Sequence, residues 1–314
     1  MKKPLVILTG STAVGKTELS IQLAKKINGE IICADSMQVY KYMDIGTAKI
    51  TKEEMQGVPH YLVDELEPED DFNVVKFQSL AKKYMDEIYA KGKIPIIVGG
   101  TGFYIQSIVY DIDFDKNDAD TAYRTRLEEL AKEKGAAFLH QMLAKVDVKA
   151  AEEIHENNQK RVIRALEFYE KTGKKISEHN ETERQKESPY NFAYFVLTDD
   201  RKILYDRINR RVDIMMEQGL MKEVEAMKAR GLTRDMVSMQ GIGYKELLAY
   251  LDGEYTYEAA VDLLKQDTRH FAKRQLTWFR REKEVIWLDK SEIGRTTEDV
   301  LAVIEENLYK RDIL

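Results

Sequence analysis

Apolar and polar positions follow two different rhythms through the first hundred residues. Short apolar runs at residues 5–9, 30–34 and 94–98 predict buried strands, and residues 61–63 predict a further short one. Between these runs, apolar residues recur at helical spacing, most clearly over residues 74–90. This order of strands and helices predicts a parallel sheet with helices on both faces.

The pattern changes after about residue 111. Residues 123–172 show helical spacing almost throughout, and residues 174–189 are polar with hardly an apolar position. Residues 192–197 and 285–288 then restore the strand pattern. We therefore predict a chain in three parts: an α/β core that begins with residues 1–112, a helical insertion over 113–191, and a continuation of the core with further helices over 192–314.

Composition narrows the class of protein. The 314 residues are 43% hydrophobic and 33% charged, which is typical of a soluble globular protein and excludes a disordered chain. No apolar run approaches the roughly 20 residues of a membrane helix, and the N-terminal run is too short for the core of a signal peptide. We therefore expect a cytoplasmic protein without membrane association. Cys33 is the only cysteine, which excludes a disulfide framework and a cysteine-built metal site.

One motif fits completely and in the right context. Residues 10–17 match G-x-x-x-x-G-K-[ST] between a predicted strand and a predicted helix. In such a loop the backbone N–H groups surround a phosphate, the lysine adds a full charge, and the threonine hydroxyl can bind Mg²⁺. We predict a P-loop NTPase-like α/β fold that holds a diphosphate or triphosphate, and the motif leaves the reaction open. The predicted phosphate-binding residues are Gly10, Ser11, Thr12, Ala13, Val14, Gly15, Lys16 and Thr17, the last also the metal ligand.

Two further strand ends carry candidate groups. Asp35 follows the second strand, where it could act as a general base, hold Mg²⁺ through water, or only cap the strand. Ser36 and Gln38 beside it are suited to reading a base edge or a sugar. Residues 99–102 form a glycine loop in which Thr101 offers a hydroxyl and an N–H to a phosphate oxygen. A tight turn without a ligand explains the same glycines equally well.

Charge is unevenly distributed along the chain. Its 49 basic and 55 acidic residues give a net charge of −6, which by itself argues against nucleic acid as a partner. However, residues 64–71 hold six acids and no base. By contrast, residues 159–175 hold six bases against two acids, and residues 259–283 hold seven bases against three. The net charge of the whole chain therefore does not exclude nucleic acid as a partner.

The basic segment near the C-terminus predicts a long helix with two distinct faces. Leu264, Phe271 and Trp278 recur every seven residues and form an apolar stripe. Lys273 and Arg280 lie on another face, together with a histidine and further polar residues. Such a basic face suits a phosphate backbone and unstacked bases, although a solvated surface helix explains it equally well.

Several segments occur together in one order: residues 10–17, 35–40, 44–49, 59–60, 98–102, 161–167, 241–244 and 273–278. In this combination, which runs nearly from end to end, the chain resembles the tRNA dimethylallyltransferases, or tRNA isopentenylpyrophosphate transferases. The resemblance implies transfer of a dimethylallyl group from dimethylallyl diphosphate to N6 of the adenosine on the 3′ side of the anticodon. It also implies that the phosphate loop holds the diphosphate of the donor rather than ATP.

The resemblance implies a role for several residues and for the insertion. Asp35 would accept a proton from N6, Thr101 would lie beside both substrates in the reaction channel, and Arg211 would join Lys16 in holding the diphosphate. The helical insertion would clamp the anticodon stem-loop. The residues implied to contact tRNA are Asp35, Ser36, Met37, Gln38, Thr101, Arg124, Gln159, Lys160, Arg161, Val162, Ile163, Gln240, Gly241 and Gly243, to which the basic helix adds Lys273 and Arg280.

Three other functions remain open on the residues alone. A small-molecule or nucleotide kinase uses the same phosphate loop, but it would leave the basic segments unexplained. A non-enzymatic RNA-binding protein or nucleotide switch would need neither Asp35 nor Thr101. A prenyltransferase acting on free adenylate is the nearest enzymatic rival, although the large insertion favours a folded RNA acceptor. We expect a monomer that uses Mg²⁺.

Overall fold

A computed structural model of the chain describes residues 2–114 and 121–314. The strands of its sheet are β1 (Lys3–Gly10), β2 (Gly29–Cys33), β3 (His60–Tyr61), β4 (Ile94–Gly99), β5 (Tyr190–Thr198) and β6 (Val285–Asp289). They are all parallel and lie in the order β3-β2-β4-β1-β5-β6. The predicted α/β class is confirmed, and each predicted strand is present, with β3 shorter than the sequence pattern suggests.

The chain divides into two compact units. Unit 1 comprises Met1–Val109 and Ser188–Leu314, and unit 2 comprises Tyr110–Glu187. None of the helices within the described ranges is both long and apolar enough to cross a membrane.

The helices of unit 1 are α1 (Lys16–Lys26), α2 (Lys52–Met55), α3 (Val74–Ala90), α4 (Gly102–Val109), α10 (Arg201–Glu217), α11 (Leu220–Ala229), α12 (Tyr244–Leu251), α13 (Tyr257–Phe279), α14 (Lys290–Ile293) and α15 (Thr297–Lys310). Those of unit 2 are α5 (Thr121–Lys134), α6 (Ala136–Val146), α7 (Val148–Glu153), α8 (Gln159–Thr172) and α9 (Ile176–Gln185).

Both faces of the sheet in unit 1 are buried. Val6 and Leu8 of β1 belong to one apolar cluster with Leu23 of α1 and residues of α15. Leu5 and Ile7 alternate with them and are equally inaccessible to solvent. Because successive strand residues point to opposite faces, a strand covered on both sides is apolar at every position, which is the pattern of residues 5–8.

Unit 2 has a core of its own. Leu127 of α5 and Val162 of α8 are among its buried side chains. Asp147 is also buried, and its carboxylate accepts hydrogen bonds from the N–H of Ala150 and from both the N–H and the hydroxyl of Ser177. The carboxylate thereby caps α7 and ties α9 to it, so this part of the polar stretch is a helix held within unit 2.

Candidate active site

The phosphate loop, Asp35 and the glycine loop lie at one edge of the sheet. β1 is next to β4 and β4 is next to β2, so the residues that follow these parallel strands meet at their carboxyl ends. The N–H of Thr101 donates to the carbonyl of Ala34 at 3.1 Å, which ties the glycine loop to the segment of Asp35. A single cavity in unit 1 is lined by Lys16, Asp35 and Arg211. Three residues predicted from distant parts of the sequence therefore share one site.

The loop between β1 and α1 has the backbone of an anion cradle. Ala13 (φ 63°) and Gly15 (φ 93°) adopt left-handed conformations, which let successive N–H groups face one ligand. Gly10 lies so close to the carbonyl of Leu197 that a Cβ atom there would overlap it. Helix α1 begins at Lys16, directly after the loop, and its N-terminal N–H groups add a partial positive charge.

The ammonium group of Lys16 is held by its own loop. Nζ donates hydrogen bonds to the carbonyl oxygens of Gly10 (3.0 Å) and Ser11 (2.8 Å). Burial, and secondly the positive charge of Arg211, lower the pKa of Lys16 to about 8. Burial also lowers the pKa of the Arg211 guanidinium. Two partly desolvated cations beside each other favour a multivalent anion between them.

A second lysine supports this loop from the C-terminal part of the chain. Lys290 is the first residue of α14, and its Nζ donates to the carbonyl of Val14 at 3.1 Å. Burial lowers its pKa, with Arg207 as the next cause. No local sequence pattern indicates Lys290 as a site residue, because its contact with the loop joins residues that are almost the whole chain apart.

Asp35 is fixed by the turn that follows β2. Its Oδ1 accepts hydrogen bonds from the N–H groups of Met37 (2.9 Å) and Gln38 (3.4 Å). Burial raises the pKa of Asp35 above its ordinary value, although these two N–H groups and the charge of Lys16 oppose the shift. A carboxylate that is held at one oxygen, and whose pKa is raised, has the properties of a positioned general base.

The side chain of Gln38 forms hydrogen bonds within the wall of the cavity. Its amide nitrogen donates to the carbonyls of Thr47 (3.1 Å) and Ala48 (3.2 Å), and its Oε1 accepts from the buried thiol of Cys33 at 3.5 Å. These bonds fix the loop that forms one side of the cavity. Ser36 and Met37 lie beside Gln38 and are half-buried. The contact of Ser36, Met37 and Gln38 with RNA stays a prediction.

The glycines of residues 99–102 are explained by close packing against protein. A Cβ atom at Gly99 would overlap the backbone of Ala34, and one at Gly102 would overlap the ring of Trp278. Gly99 and Gly100 also line the cavity. The tight turn is therefore present. The N–H of Thr101 donates to the carbonyl of Ala34, so the predicted contact of this N–H with a phosphate oxygen is wrong, and a contact through the Thr101 hydroxyl stays a prediction. Thr101 precedes α4 and is half-buried.

Gln275 is a site residue that the sequence analysis did not single out. It is 6% exposed, lines the cavity, and lies on α13 within the stripe of Leu264, Phe271 and Trp278. Its Oε1 accepts from the N–H of Thr12 at 2.9 Å. A polar residue at a stripe position, four residues after Phe271 and three before Trp278, was the available signal, because it must bury its amide.

The basic face of α13 is exposed to solvent. Lys273 and Arg280 are both exposed, as the helical pattern predicts. A shallow depression there is lined by Lys273 and Trp278 together with His270, Arg274 and Arg281. The face therefore presents cations next to an aromatic ring, a combination that suits a nucleic acid.

In unit 2, the residues predicted to contact RNA fall into two groups. Gln159, Lys160 and Arg161 are exposed in the first turn of α8. Val162 and Ile163 are 0% and 6% exposed and belong to the core of unit 2. Because both side chains point into the apolar cluster, the predicted contact of this segment with RNA falls to its backbone and to the exposed residues of the first turn, and it stays a prediction.

Arg124 of unit 2 is engaged within the protein. Its Nε and Nη2 donate to the two carboxylate oxygens of Glu167, at 3.0 and 2.7 Å. Glu167 is fully buried, so its charge needs this bidentate partner. The structure thus assigns Arg124 a stabilising role between α5 and α8. A contact with RNA would have to use its remaining N–H groups.

The predicted segment at residues 240–245 forms the entry to α12. Gly243 (φ 103°) precedes the helix, and its N–H donates to the carboxylate of Glu246 at 2.7 Å. Gly241 packs close to the sulfur of Met37, so this segment lies against the turn that holds Asp35. Gln240 is exposed, and its amide bonds to the carbonyl of Arg234.

The donors available for a metal are few. Within the described ranges, no group of three or more histidine, cysteine or acidic side chains is arranged to hold a metal ion. The Thr17 side chain and the Asp35 carboxylate line the same cavity. Magnesium typically takes one or two protein oxygens and completes its shell with water and substrate phosphates, so these residues fit that ion.

Comparison with known proteins gives a single answer. A family model described as IPP transferase matches residues 38–282. A protein of Lachnoclostridium phytofermentans named tRNA dimethylallyltransferase is 62% identical over 98% of this chain and 100% of its own length. A protein of Acetivibrio thermocellus with the same name is 53% identical over 92% of this chain and 92% of its own length.

Solved structures agree with the sequence comparison. A full-length tRNA isopentenylpyrophosphate transferase from Bacillus halodurans is 46% identical, has a TM-score of 0.73, and covers 99% of this chain and 98% of its own. A eukaryotic dimethylallyltransferase acting on tRNA is 30% identical with a TM-score of 0.80, and the match covers 99% of this chain and 80% of that one.

Proposed function

This chain belongs to the tRNA dimethylallyltransferase family, and we propose that its donor is dimethylallyl diphosphate and its acceptor N6 of the adenosine 3′ to the anticodon. The protein is thus a prenyl-transferring enzyme with tRNA as substrate. The observation that carries the proposal is the single cavity that holds the phosphate loop, Lys16 and Asp35. A donor site and a base for the acceptor must adjoin for a direct transfer.

The diphosphate of the donor lies in the loop of residues 10–17. The N–H groups of the loop, Lys16 and Arg211 surround the position where negative charge grows as the allylic C–O bond breaks. Thr17 would hold a Mg²⁺ ion, which would supply further charge stabilisation to the leaving diphosphate. Apolar side chains on the same cavity wall, among them Val63, Val98 and Phe271, shield the dimethylallyl group from water.

Asp35 makes the acceptor reactive. Adenine N6 is a weak nucleophile because its lone pair is delocalised into the ring. As the N6–carbon bond forms, the electrons of the breaking C–O bond go to the diphosphate and the N6 proton goes to the Asp35 carboxylate. Thr101, two residues beyond the neighbouring strand β4, contacts the acceptor beside it. An adenosine within a stacked loop must be turned out of the stack to reach this site.

The tRNA is held by charge outside the cavity. Lys273 and Arg280 on α13 and the exposed Lys160 and Arg161 on α8 bind the phosphate backbone. Unit 2 contributes its residues as the clamp of the anticodon stem-loop. The turn at Ser36 to Gln38 and the segment at Gln240 to Gly243 approach the extruded base. We further propose that the enzyme works as a monomer in the cytoplasm.

The proposal is tested with labelled substrates. The protein is incubated with Mg²⁺, unmodified tRNA and AMP, and with either allyl-labelled dimethylallyl diphosphate or γ-labelled ATP. We expect the allyl label to enter tRNA, at the adenosine 3′ to the anticodon by mass spectrometry of nuclease fragments. Phosphate release from ATP with no allyl label in RNA would instead support the kinase. Label in free AMP but not in tRNA would support the adenylate prenyltransferase.

A further inference from the structure

Gln275 connects two loops of the active site that belong to different strands. Its Oε1 accepts from the N–H of Thr12 in the phosphate loop at 2.9 Å, and its Nε2 donates to the carbonyl of Gly100 at 3.0 Å. The amide is buried on α13 and faces the cavity that holds Lys16 and Asp35. Both polar atoms of the side chain are therefore used, one on each side of the site.

Local geometry is adapted to this bridge. A Cβ atom at position 100 would collide with the amide nitrogen of Gln275, so the contact requires a glycine there. The ladder between β1 and β4 pairs Thr9 with Gly99 and does not reach further. Beyond the strand ends, the amide of Gln275 links the phosphate loop directly to the loop of Thr101.

That distance matters for the proposed reaction. The allylic carbon is placed by the diphosphate, which the phosphate loop holds, whereas N6 is placed by Asp35 and Thr101. A displacement of about 1 Å between reacting groups can cost on the order of 10² in rate. The N–H of Thr12 is also occupied by Gln275, so the remaining N–H groups of the loop are left to hold the diphosphate.

We propose that Gln275 is a positioning residue that keeps the donor loop and the acceptor loop in register for transfer. This inference rests on the proposed function, since it concerns the same two substrates. Because Lys273 lies on the same helix and Arg280 caps its C-terminal end, the bridge also joins the basic face of α13 to the reaction centre. If these hydrogen bonds only stabilised the fold, their removal would lower the stability of the protein and leave kcat unchanged. A positioning role and a structural role can therefore be distinguished.

The test compares two near-isosteric variants with the parent. Gln275→Met keeps the volume and removes both bonds, and we expect kcat to fall on the order of 10² while the Kd for tRNA stays at the parent value. In Gln275→Glu, a protonated carboxyl can still accept from Thr12 and donate to Gly100, but the carboxylate has no proton to donate. The ratio of its kcat to that of the parent should therefore rise as pH falls, whereas the ratio for Gln275→Met should stay flat.

A buried glutamine outside the site provides the matched control. Gln78 of α3 is 8% exposed and its Nε2 donates to the carbonyl of Ser107 at 2.8 Å. Gln78→Met and Gln78→Glu should lower the thermal midpoint without changing kcat or its pH profile. Parent kcat in folded Gln275→Met, or a flat ratio for Gln275→Glu, would overturn the inference. The parent reaction itself reports on the proposed function, which fails separately if the parent transfers no label.

Discussion

Lys16 and Asp35 are both moved by burial toward their uncharged forms. The pKa of Lys16 is lowered and that of Asp35 is raised, each with desolvation as the largest cause. The sequence motif predicts where these residues lie, because a glycine loop and a strand end are local features. It does not predict their titration, which depends on neighbours such as Arg211 that only the fold brings close.

The lowered pKa of Lys16 predicts how donor binding depends on pH. The diphosphate stabilises the ammonium form, so affinity should fall as pH rises through about 8, where Lys16 of the free enzyme loses its proton. We expect an alkaline limb near pH 8 in kcat/KM for dimethylallyl diphosphate and no such limb in kcat. Steady-state kinetics between pH 6.5 and 9.5 measure both. A kcat/KM that stays flat up to pH 9.5 would contradict the burial of Lys16.

Helix α13 shows what an amphipathic pattern can and cannot reveal. Of the predicted stripe, Leu264 is buried whereas Phe271 and Trp278 are half-buried, and Lys273 is exposed on another face as predicted. The pattern does not reveal that a buried amide in the stripe bonds to Thr12, because that contact joins residues 263 positions apart. Periodicity describes one element, whereas the partner of a buried polar group is a property of the fold.

Helix α8 carries buried apolar residues next to exposed basic residues. Val162 and Ile163, with Leu166 one turn later, are apolar residues of one helix face and lie in the core of unit 2. The family resemblance predicts RNA contacts along the same segment, and the burial of both residues decides for the core. The exposed side chains of Gln159, Lys160 and Arg161 keep the predicted role.

The basic face of α13 predicts a salt-dependent contribution to tRNA binding. Removing two phosphate contacts with Lys273→Ala and Arg280→Ala together should weaken binding and lower the slope of log K against log salt by about 1–2. Filter binding at several salt concentrations measures both quantities. The control is Lys83→Ala with Lys310→Ala, two exposed lysines that pair with acids of their own helices. An equal loss of tRNA affinity in the control would show that binding depends on the net charge of the protein and not on the basic face of α13.

Over the whole molecule, the net charge of −6 conceals a local division of charge. Within the acidic run, Asp64 pairs with the buried Lys49, and Glu67 and Glu69 both pair with Arg230. These acids are paired with cations elsewhere in unit 1, whereas Lys273 and Arg280 of the basic segment are exposed to solvent. The sequence predicts where charges occur along the chain, but which of them are cancelled depends on pairs that are distant in sequence.

The central claim is that Asp35 accepts the proton of N6 beside the diphosphate loop. Asp35→Asn tests it closely, because the amide oxygen can still accept from Met37 and Gln38 and so keep the turn intact. Asp200→Asn is the matched control, since Asp200 also accepts two backbone N–H groups but caps α10 instead.

The measurement is single-turnover transfer at saturating donor and tRNA, alongside the Kd for tRNA of each variant. We predict that Asp35→Asn slows transfer on the order of 10²–10⁴ with tRNA affinity unchanged, and that Asp200→Asn transfers at the parent rate. Transfer by Asp35→Asn at the parent rate would contradict the claim. A loss of rate explained entirely by a weaker Kd for tRNA would contradict it as well.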